Sequence, residues 1–556
     1  MAKPVHHDAN GIYTKLDSST DSIRILVLEP RSHSDRIVCS LEVVGLDPPP
    51  QFEALSYVWG DESKRKNILV NGTTISVTEN LEAALRHLRT DSEPRRLWVD
   101  AVCICQKDND EKSSQVRQMG KVYSSAEQVL LWLGESTPET MDAFQYMRSK
   151  QNLSWPEDWD RETDFSGLKS LLSLLKRPWF QRVWVIQEIT LNEKVLMACG
   201  SDCINFNAFE PCVSALWKFK DWSDYHVPDP TVLGFWCATR LINIRKKFQS
   251  GPVCYETLLE AASHCRATNV SDMVFAFQAI ADDRPVPEPD YTKPVEEVYT
   301  ETAIALLCNG ESLDFLALGG IARQGTSKLP TWIPDHRHYS LSEPILMCDA
   351  GRWNAGGSRQ AEPVPREDRL QLRIKAFDTV EVTCSKIDSY SVYGQRKALQ
   401  EILGLRRRLP CEVSEKAWMD VVYRSLIFGI DVHDEPAPPE FRKHFNEWLQ
   451  CLQSSSAPGA LEKITSNEYY LAVQPRVGGW KAFVTRQGYF CIGPPVIAAG
   501  DWICAVPGCR LPLIVRPDSD AEPLPKCILV GWCYADGLMH GEAMALEQLV
   551  IDILIR

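Results

Sequence analysis

The sequence lacks the features that mark several large protein classes. No window approaches the roughly 18 consecutive apolar residues of a spanning helix, so we expect no membrane span. No run of Lys or Arg stands out, and the formal net charge is −14, which argues against a nucleic-acid-binding surface. The first residues have no apolar segment like that of a secretory signal. Together these absences favour a cytoplasmic protein that does not bind nucleic acid.

Metal-binding and disulfide patterns are also missing. None of the 19 Cys forms a C-x-x-C pair, and without a secretory signal these residues predict reduced, buried thiols. His336 and His338 do not have zinc-ligand spacing. No His lies where it would pair with Cys103 or Cys105 as a nucleophile. The sequence therefore predicts chemistry that needs neither a metal nor a cofactor.

What is present is ordinary globular composition, with 556 residues of which 44% are hydrophobic and 24% charged. This length indicates several domains. Changes in hydrophobic periodicity and in Gly and Pro content predict six regions. They are a loose N-terminus (1–20), an α/β domain (21–200, core 50–190), a mainly helical region (205–348), a linker or long loop (349–367), a mixed α/β region (368–480) and a β-rich C-terminal region (481–556).

The α/β domain is predicted from alternating strand and helix patterns. Asn71-Gly72 between two short apolar runs is typical of a hairpin turn. The apolar run 97–104 reads as one buried strand that Asp100 interrupts, so that carboxyl group is either bonded within the fold or borders a cleft. Helices alternate with such strands in an open sheet, where ligands bind beyond the carboxyl ends of the strands.

The segment Phe180–Glu188 has apolar residues at helical spacing and is predicted to be one helix that begins near Pro178. Glu188 is the acid on this apolar segment. Its carboxylate either pairs with an arginine, with Arg177 and Arg182 as candidates, or lines a cleft. The sequence leaves both interpretations open.

Four blocks resemble the fungal HET (heterokaryon incompatibility) domain family. The blocks are F-E-A-L-S-Y-V-W-G (52–60), L-W-V-D-A-V-C-I-C-Q-K-D (97–108), Q-V-R-Q-M-G-K-V-Y-S-S-A (115–126) and R-P-W-F-Q-R-V-W-V-I-Q-E (177–188). Cys105 departs from the Asn that is usual in the family. Later blocks up to V-G-W-C-Y-A-D-G-L-M-H-G-E-A (530–543) resemble HET proteins of the heterokaryon incompatibility protein 6 type.

This resemblance implies a role in non-self recognition, in which the HET domain promotes growth arrest or cell death. It also implies a TIR-like, flavodoxin-like open sheet, because HET domains resemble TIR domains, some of which cleave NAD. TIR enzymes carry W-C-x-x-E. Trp184 and Glu188 have the same offset here, although Val185 replaces the Cys. An incompatibility partner protein, or self-association, is expected from the same resemblance.

The chemistry that could follow is cleavage of NAD as a substrate, with Glu188 stabilising the positive charge that develops on the ribose. The candidate residues around this acid come from several of the matching blocks. They are Trp59, Asp100, Arg117, Arg182 and Trp184. The alternative is a non-catalytic signalling or interaction module, in allorecognition or another regulatory pathway, in which Glu188 forms a structural pair with an arginine.

Overall fold

The structure is a computed structural model that places most of the chain. It describes residues 11–16, 20–151, 161–219, 230–282, 286–310, 312–325, 328–337, 353–357, 363–366, 368–388, 391–432, 435–453, 464, 467–519, 524–546 and 550–556. The predicted loose N-terminus (1–20) and the predicted linker (349–367) fall in large part outside these residues.

The chain divides into two compact units, which are described separately. Unit 1 comprises Met1–Lys220, Asp229–Asp282 and Glu288–Val295. Unit 2 comprises Asp221–Pro228, Asp283–Pro287 and Glu296–Arg556.

Unit 1 contains a nine-stranded mixed sheet. Its strands are β1 (Ser22–Leu28), β2 (Val38–Gly45), β3 (Glu53–Tyr57), β4 (Arg65–Val70), β5 (Thr73–Thr78), β6 (Arg95–Trp98), β7 (Val129–Trp132), β8 (Val195–Cys199) and β9 (Asp202–Asn205). The spatial order is β5-β4-β2-β1-β6-β3-β7-β8-β9. The central strands β6, β3, β7 and β8 are parallel, and antiparallel strands flank them on both sides.

Ten helices of unit 1 lie in the described residues. They are α1 (Glu79–Leu88), α2 (Asp100–Cys103), α3 (Asn109–Ser125), α4 (Pro138–Lys150), α5 (Arg161–Leu175), α6 (Val185–Thr190), α7 (Phe209–Phe219), α8 (Pro230–Phe248), α9 (Tyr255–Ala261) and α10 (Asp272–Phe275). Short 3-10 turns add Pro178–Gln181, Phe206–Ala208 and Ala262–His264. The crossovers from β3 to β6, β6 to β7 and β7 to β8 each contain at least one helix, as parallel strands require.

Local sequence explains why these elements form. Asn71 and Gly72 have φ values of 50° and 78°, as the turn between β4 and β5 requires, which confirms the predicted hairpin. The side chain of Asp108 accepts hydrogen bonds from the backbone of Asp110 and Glu111 and so caps α3. The strands β3 and β7 bury nearly every side chain, as is typical of strands covered on both faces.

Two predicted elements are wrong in a way that matters for the site. The run 97–104 is not one strand, since β6 ends at Trp98 and Asp100 opens the single-turn helix α2. The segment Phe180–Glu188 is not one helix either. It is a 3-10 turn, Pro178–Gln181, followed by α6, and Arg182 between them has extended backbone angles.

Unit 2 contains a second sheet. Its strands are β10 (Val364–Arg366), β11 (Arg369–Lys386), β12 (Lys481–Thr485), β13 (Phe490–Gly493), β14 (Trp502–Ala505), β15 (Leu513–Ser519), β16 (Lys526–Trp532), β17 (Tyr534–Ala535) and β18 (Val550–Ile555). The strands β11, β14, β15, β16 and β18 pair in a closed ring, because the long strand β11 bonds to both β14 and β18. The strands β12, β13 and β17 extend the sheet from β11.

Most helices of unit 2 in the described residues bury apolar side chains. They are α11 (Val295–Asn309), α12 (Val392–Leu405), α13 (Glu415–Leu426), α14 (Arg442–Gln453), α15 (Glu468–Val477) and α16 (Glu542–Ala545). The core of the sheet is apolar, with Phe377, Phe483 and Ile514 among its buried members. The helical middle and the β-rich C-terminal part expected from the sequence are thus both present.

No helix among the described residues combines the length and the apolar character needed to cross a bilayer.

Candidate functional site

A cleft of about 410 Å³ opens in unit 1. This volume lies within the range of about 300 to 1,000 Å³ that is usual for small-molecule sites. Its lining comes from the turn after β3, the segment after β6, one face of α3, the 3-10 turn and α6, and the segments around Arg266–Asp272 and Tyr291. The carboxyl ends of β3 and β6 therefore face the cleft, as expected for a sheet with parallel central strands.

Glu188 lies at the inner wall of this cleft. It is 2% exposed. Its carboxylate accepts a short hydrogen bond from the Ser56 hydroxyl, and the Ser56 oxygen accepts another from the Trp179 indole at 2.8 Å. An Arg182 guanidinium nitrogen lies 3.5 Å from the same carboxylate. Of the two arginines considered from the sequence, Arg182 is the partner, because Arg177 binds the carbonyl oxygens of Leu133 and Glu135.

Arg182 is the cation between two buried acids. Burial lowers its pKa, but the negative charges of Glu188 and Asp100 outweigh that effect, and the pKa is raised. Burial raises the pKa of Glu188, and Asp100 adds to the rise, while Arg182 and Ser56 oppose it. The arrangement keeps a carboxyl group, with an adjacent guanidinium, at the wall of a small-molecule-sized cleft. Such a group can stabilise positive charge or hold hydroxyl groups.

Asp100 lies at the start of α2, where an acid is favoured by the first-turn amides. The Trp59 indole donates to Oδ2 at 2.9 Å, and the Ala101 amide donates to Oδ1 at 2.7 Å. Burial raises the pKa of this carboxyl, against the opposing effects of Arg182 and the Trp59 hydrogen bond. Asp100 thus has hydrogen bonds within the fold and also borders the cleft.

A third acid, Asp272, lines the cleft together with the segment 266–269 and Tyr291. The Tyr291 hydroxyl donates to its Oδ1 at 2.6 Å. Burial raises the pKa of Asp272, while hydrogen bonds from Tyr291 and from the Trp184 indole oppose the rise. The Lys112 ammonium lies 4.1 Å from the centre of the Tyr291 ring. Asp272 therefore anchors two aromatic side chains of the cleft.

Five of the six residues singled out from the sequence line the cleft together. They are Trp59, Asp100, Arg182, Trp184 and Glu188. Arg117 does not contribute to the lining. Its guanidinium binds Glu288 at 2.8 Å, and both side chains are exposed. Gly134 and Glu135, which follow β7, do not line the cleft either, and the Arg177 guanidinium binds the carbonyl oxygen of Glu135.

Several cleft residues escaped the sequence analysis. Lys112, Arg266, Asp272 and Tyr291 all line the cleft. Lys112 could have been found by continuing the helical face of Val116 and Met119 backward by one turn. The other three follow the matched α/β core by about 80 to 100 residues, and no local pattern reveals that they return to it.

Among the described residues, no group of three or more His, Cys, Asp or Glu side chains is placed to hold a metal ion.

Comparison with known proteins gives two domain matches. Residues 52–188 match the family model for the heterokaryon incompatibility protein (HET), and residues 440–549 match the Het-6 beta-barrel domain. Residues 52–188 of unit 1 are therefore similar to the HET domain and residues 440–549 of unit 2 to the Het-6 barrel domain, which confirms the resemblance drawn from the sequence blocks.

The chain is also similar to one curated relative over nearly its whole length. This is "Heterokaryon incompatibility protein 6, OR allele" of Neurospora crassa, to which it is 24% identical over 95% of each chain. No solved structure matches the chain.

Proposed function

We propose that this protein acts in fungal heterokaryon incompatibility, and that its HET domain promotes growth arrest or cell death by cleaving NAD. The role in incompatibility is supported by the HET-domain match and by the similarity to the Neurospora protein. The cytoplasm, where NAD is available, is the proposed place of action. An incompatibility partner protein, or a second copy of the chain, is the proposed trigger for assembly.

The observation that carries the catalytic proposal is the position of Glu188, on the wall of a cleft of about 410 Å³ with Trp59 and Trp184. Breaking the nicotinamide–ribose bond sends the bonding electron pair to nicotinamide and leaves positive charge on the sugar. A carboxylate at this position stabilises that charge. Water then bonds to the anomeric carbon and loses a proton, which yields ADP-ribose. No cofactor takes part.

The strand order supports a TIR-like, flavodoxin-like assignment of the domain. In chain order the parallel strands are β3, β6, β7 and β8, and in space they run β6-β3-β7-β8. This is the 2-1-3-4 arrangement that begins the flavodoxin-like order. The offset from Trp184 to Glu188 agrees with the W-C-x-x-E pattern of TIR enzymes.

One observation favours the rival function, a non-catalytic signalling or interaction module. Glu188 is only 2% exposed and has both a hydroxyl and a guanidinium as partners. A buried acid satisfied in this way also serves as a structural pair. In that case the HET domain acts by recruiting partners, and the cleft residues hold the fold.

Expression of the full chain in a fungal host separates the two functions. The catalytic proposal predicts growth arrest with a fall in cellular NAD, and the loss of both effects in Glu188→Gln. A matched control is Glu288→Gln, which removes an exposed carboxylate from the Arg117 pair. Growth arrest with unchanged NAD would instead establish the non-catalytic module. Equal NAD loss in Glu188→Gln and wild type would remove Glu188 from the mechanism.

A further inference from the structure

The cleft holds cations besides Arg182, and the charge of one of them, Lys112, opposes the rise in the pKa of the buried Asp272. Arg182 is engaged by Glu188 and Asp100. Lys112 and Arg266 also line the cleft. Among the described residues, no carboxylate lies within ion-pair distance of either side chain. Two positive charges on a cleft wall without ion-pair partners favour an anionic ligand.

Helix α3 determines which cation reaches the cleft. Lys112, Val116 and Met119 are spaced by four and three residues, so they share one face of the helix, and all three line the cleft. Arg117 and Lys121 lie on other faces, where they pair with Glu288 and Asp21. Lys112 is therefore the α3 side chain that can offer charge to a bound ligand.

The Lys112 ammonium is held in place. It lies 4.1 Å from the centre of the Tyr291 ring, a distance at which a cation is attracted to the ring face. The ring is itself fixed, since its hydroxyl donates to the buried Asp272 at 2.6 Å. Such a chain of contacts reduces the conformational freedom that a free lysine would lose on binding.

Arg266 has a fixed backbone and an exposed side chain. Its amide donates to the Gln181 carbonyl at 2.5 Å, and its carbonyl accepts from the Val183 amide at 3.1 Å. These two bonds attach residue 266 to the segment that carries Arg182 and Trp184. The guanidinium thus starts from a rigid position at the cleft and is available for bidentate binding of a phosphate group.

We propose that Lys112 and Arg266 form a diphosphate-binding subsite of the cleft, so that its ligand is a nucleoside diphosphate derivative rather than a nucleoside. The two charges match those of a diphosphate diester. This inference rests on the proposed function, because it names the part of a dinucleotide that the cleft holds. Since Arg266 and Tyr291 follow the HET match, a fragment ending at residue 200 lacks this subsite.

Calorimetric titration of the full chain with ADP-ribose and with adenosine tests the subsite. Lys112→Met and Arg266→Gln should each weaken ADP-ribose binding about 10-fold or more, as expected for the loss of a charge-assisted bond. Adenosine affinity should be the same in wild type and variants. The matched controls Lys121→Met and Arg117→Gln remove surface cations from α3, the helix that carries Lys112, and should bind ADP-ribose as wild type does.

Three outcomes would overturn the subsite. These are wild type that fails to bind ADP-ribose, ADP-ribose affinity unchanged in both cleft variants, and equal weakening of adenosine and ADP-ribose. The binding measurement needs no turnover. Weaker ADP-ribose binding in the Lys112 and Arg266 variants, without any release of nicotinamide from NAD, would therefore reject the catalytic proposal and support the subsite. Release of nicotinamide together with unchanged ADP-ribose affinity in both variants would support the catalytic proposal and reject the subsite.

Discussion

Arg182→Met tests how much the charge of Arg182 contributes to stability beside the two buried acids Glu188 and Asp100. Methionine keeps much of the length of the side chain but removes the charge. Glu188 and Asp100 then lose the cation that opposes the rise of their pKa values. Ser56, Trp59 and the Ala101 amide still donate hydrogen bonds to the two acids. The substitution thus isolates the contribution of the charge.

The size of the effect follows from burial. Removing one partner of a fully buried pair costs about 3 to 5 kcal/mol. The Arg182 side chain keeps 19% exposure, and its nearest nitrogen is 3.5 Å from the Glu188 carboxylate. We therefore expect a loss near the lower end, about 3 kcal/mol. For a unit of this size that loss corresponds to a fall in Tm of roughly 6 to 12 °C.

The loss should depend on pH in a defined direction. The folded-state pKa values of Glu188 and Asp100 are raised above 4.5 and 3.8 by burial. The protonated acids are compatible with burial, so their contribution to stability is present at low pH and is lost as pH rises through the raised values. Without Arg182 these values rise further. The deficit of the variant should therefore be largest near pH 7 to 8 and shrink toward pH 5.

Thermal and urea unfolding followed by circular dichroism, at several pH values, measures this deficit. Arg117→Met is the matched control, since it removes an arginine from an exposed pair and should change stability by less than about 0.5 kcal/mol. A variant of Arg182 as stable as this control, or one whose deficit is the same at pH 5 and pH 8, would refute the electrostatic account of the cleft.

Three further predictions concern stability. Gly234→Ala should lower the free energy of unfolding in urea by about 1 to 3 kcal/mol, because the new Cβ would lie 1.9 Å from the Leu175 carbonyl oxygen. Gly404→Ala in α12, with open space around it, should raise that free energy by up to about 1 kcal/mol. Equal effects of the two substitutions would contradict the packing of α8 on α5. Burial lowers the pKa of His336 from 6.5 to about 4, so the stability that this residue contributes above pH 6.5 should fall by about 3 kcal/mol as the pH drops to 4. His336→Asn should remove that dependence in acid unfolding. An unchanged acid-unfolding profile in the variant would show that His336 is not its source. Arg24→Met should lower the free energy of unfolding by about 3 to 5 kcal/mol, since the Arg24 side chain is 1% exposed and binds both carboxylate oxygens of Glu111. A fall of less than about 1 kcal/mol in that free energy would contradict a buried ion pair.

The sequence predicted what local patterns determine. The Asn71-Gly72 turn located the hairpin of β4 and β5, and the alternation of strand and helix patterns indicated the open sheet of unit 1. Trp59 and Asp100 follow the carboxyl ends of β3 and β6, and the segment that carries Arg182, Trp184 and Glu188 lines the same cleft, so residues of separate blocks meet there.

The features that the sequence did not predict depend on contacts between distant segments of the chain. The apolar run 97–104 is long enough for a strand, but Asp100 binds the Trp59 indole and its own helix amide, which ends β6 early. Arg182 is extended rather than helical where its neighbour Val183 bonds to Arg266, 83 residues later. Arg117 is the basic residue of a matched block, but the orientation of α3 places Lys112 at the cleft and Arg117 on the exposed surface beside Glu288.

The central claim, that Glu188 serves NAD cleavage, is tested most directly by the release of nicotinamide from NAD by the purified full chain. The measurement compares wild type with Glu188→Gln, at concentrations that allow self-association, with unfolding curves confirming that both are folded. Release by wild type and a loss of at least about 100-fold in the variant are predicted. Equal release by the two proteins, or none from assembled wild type, would contradict the account.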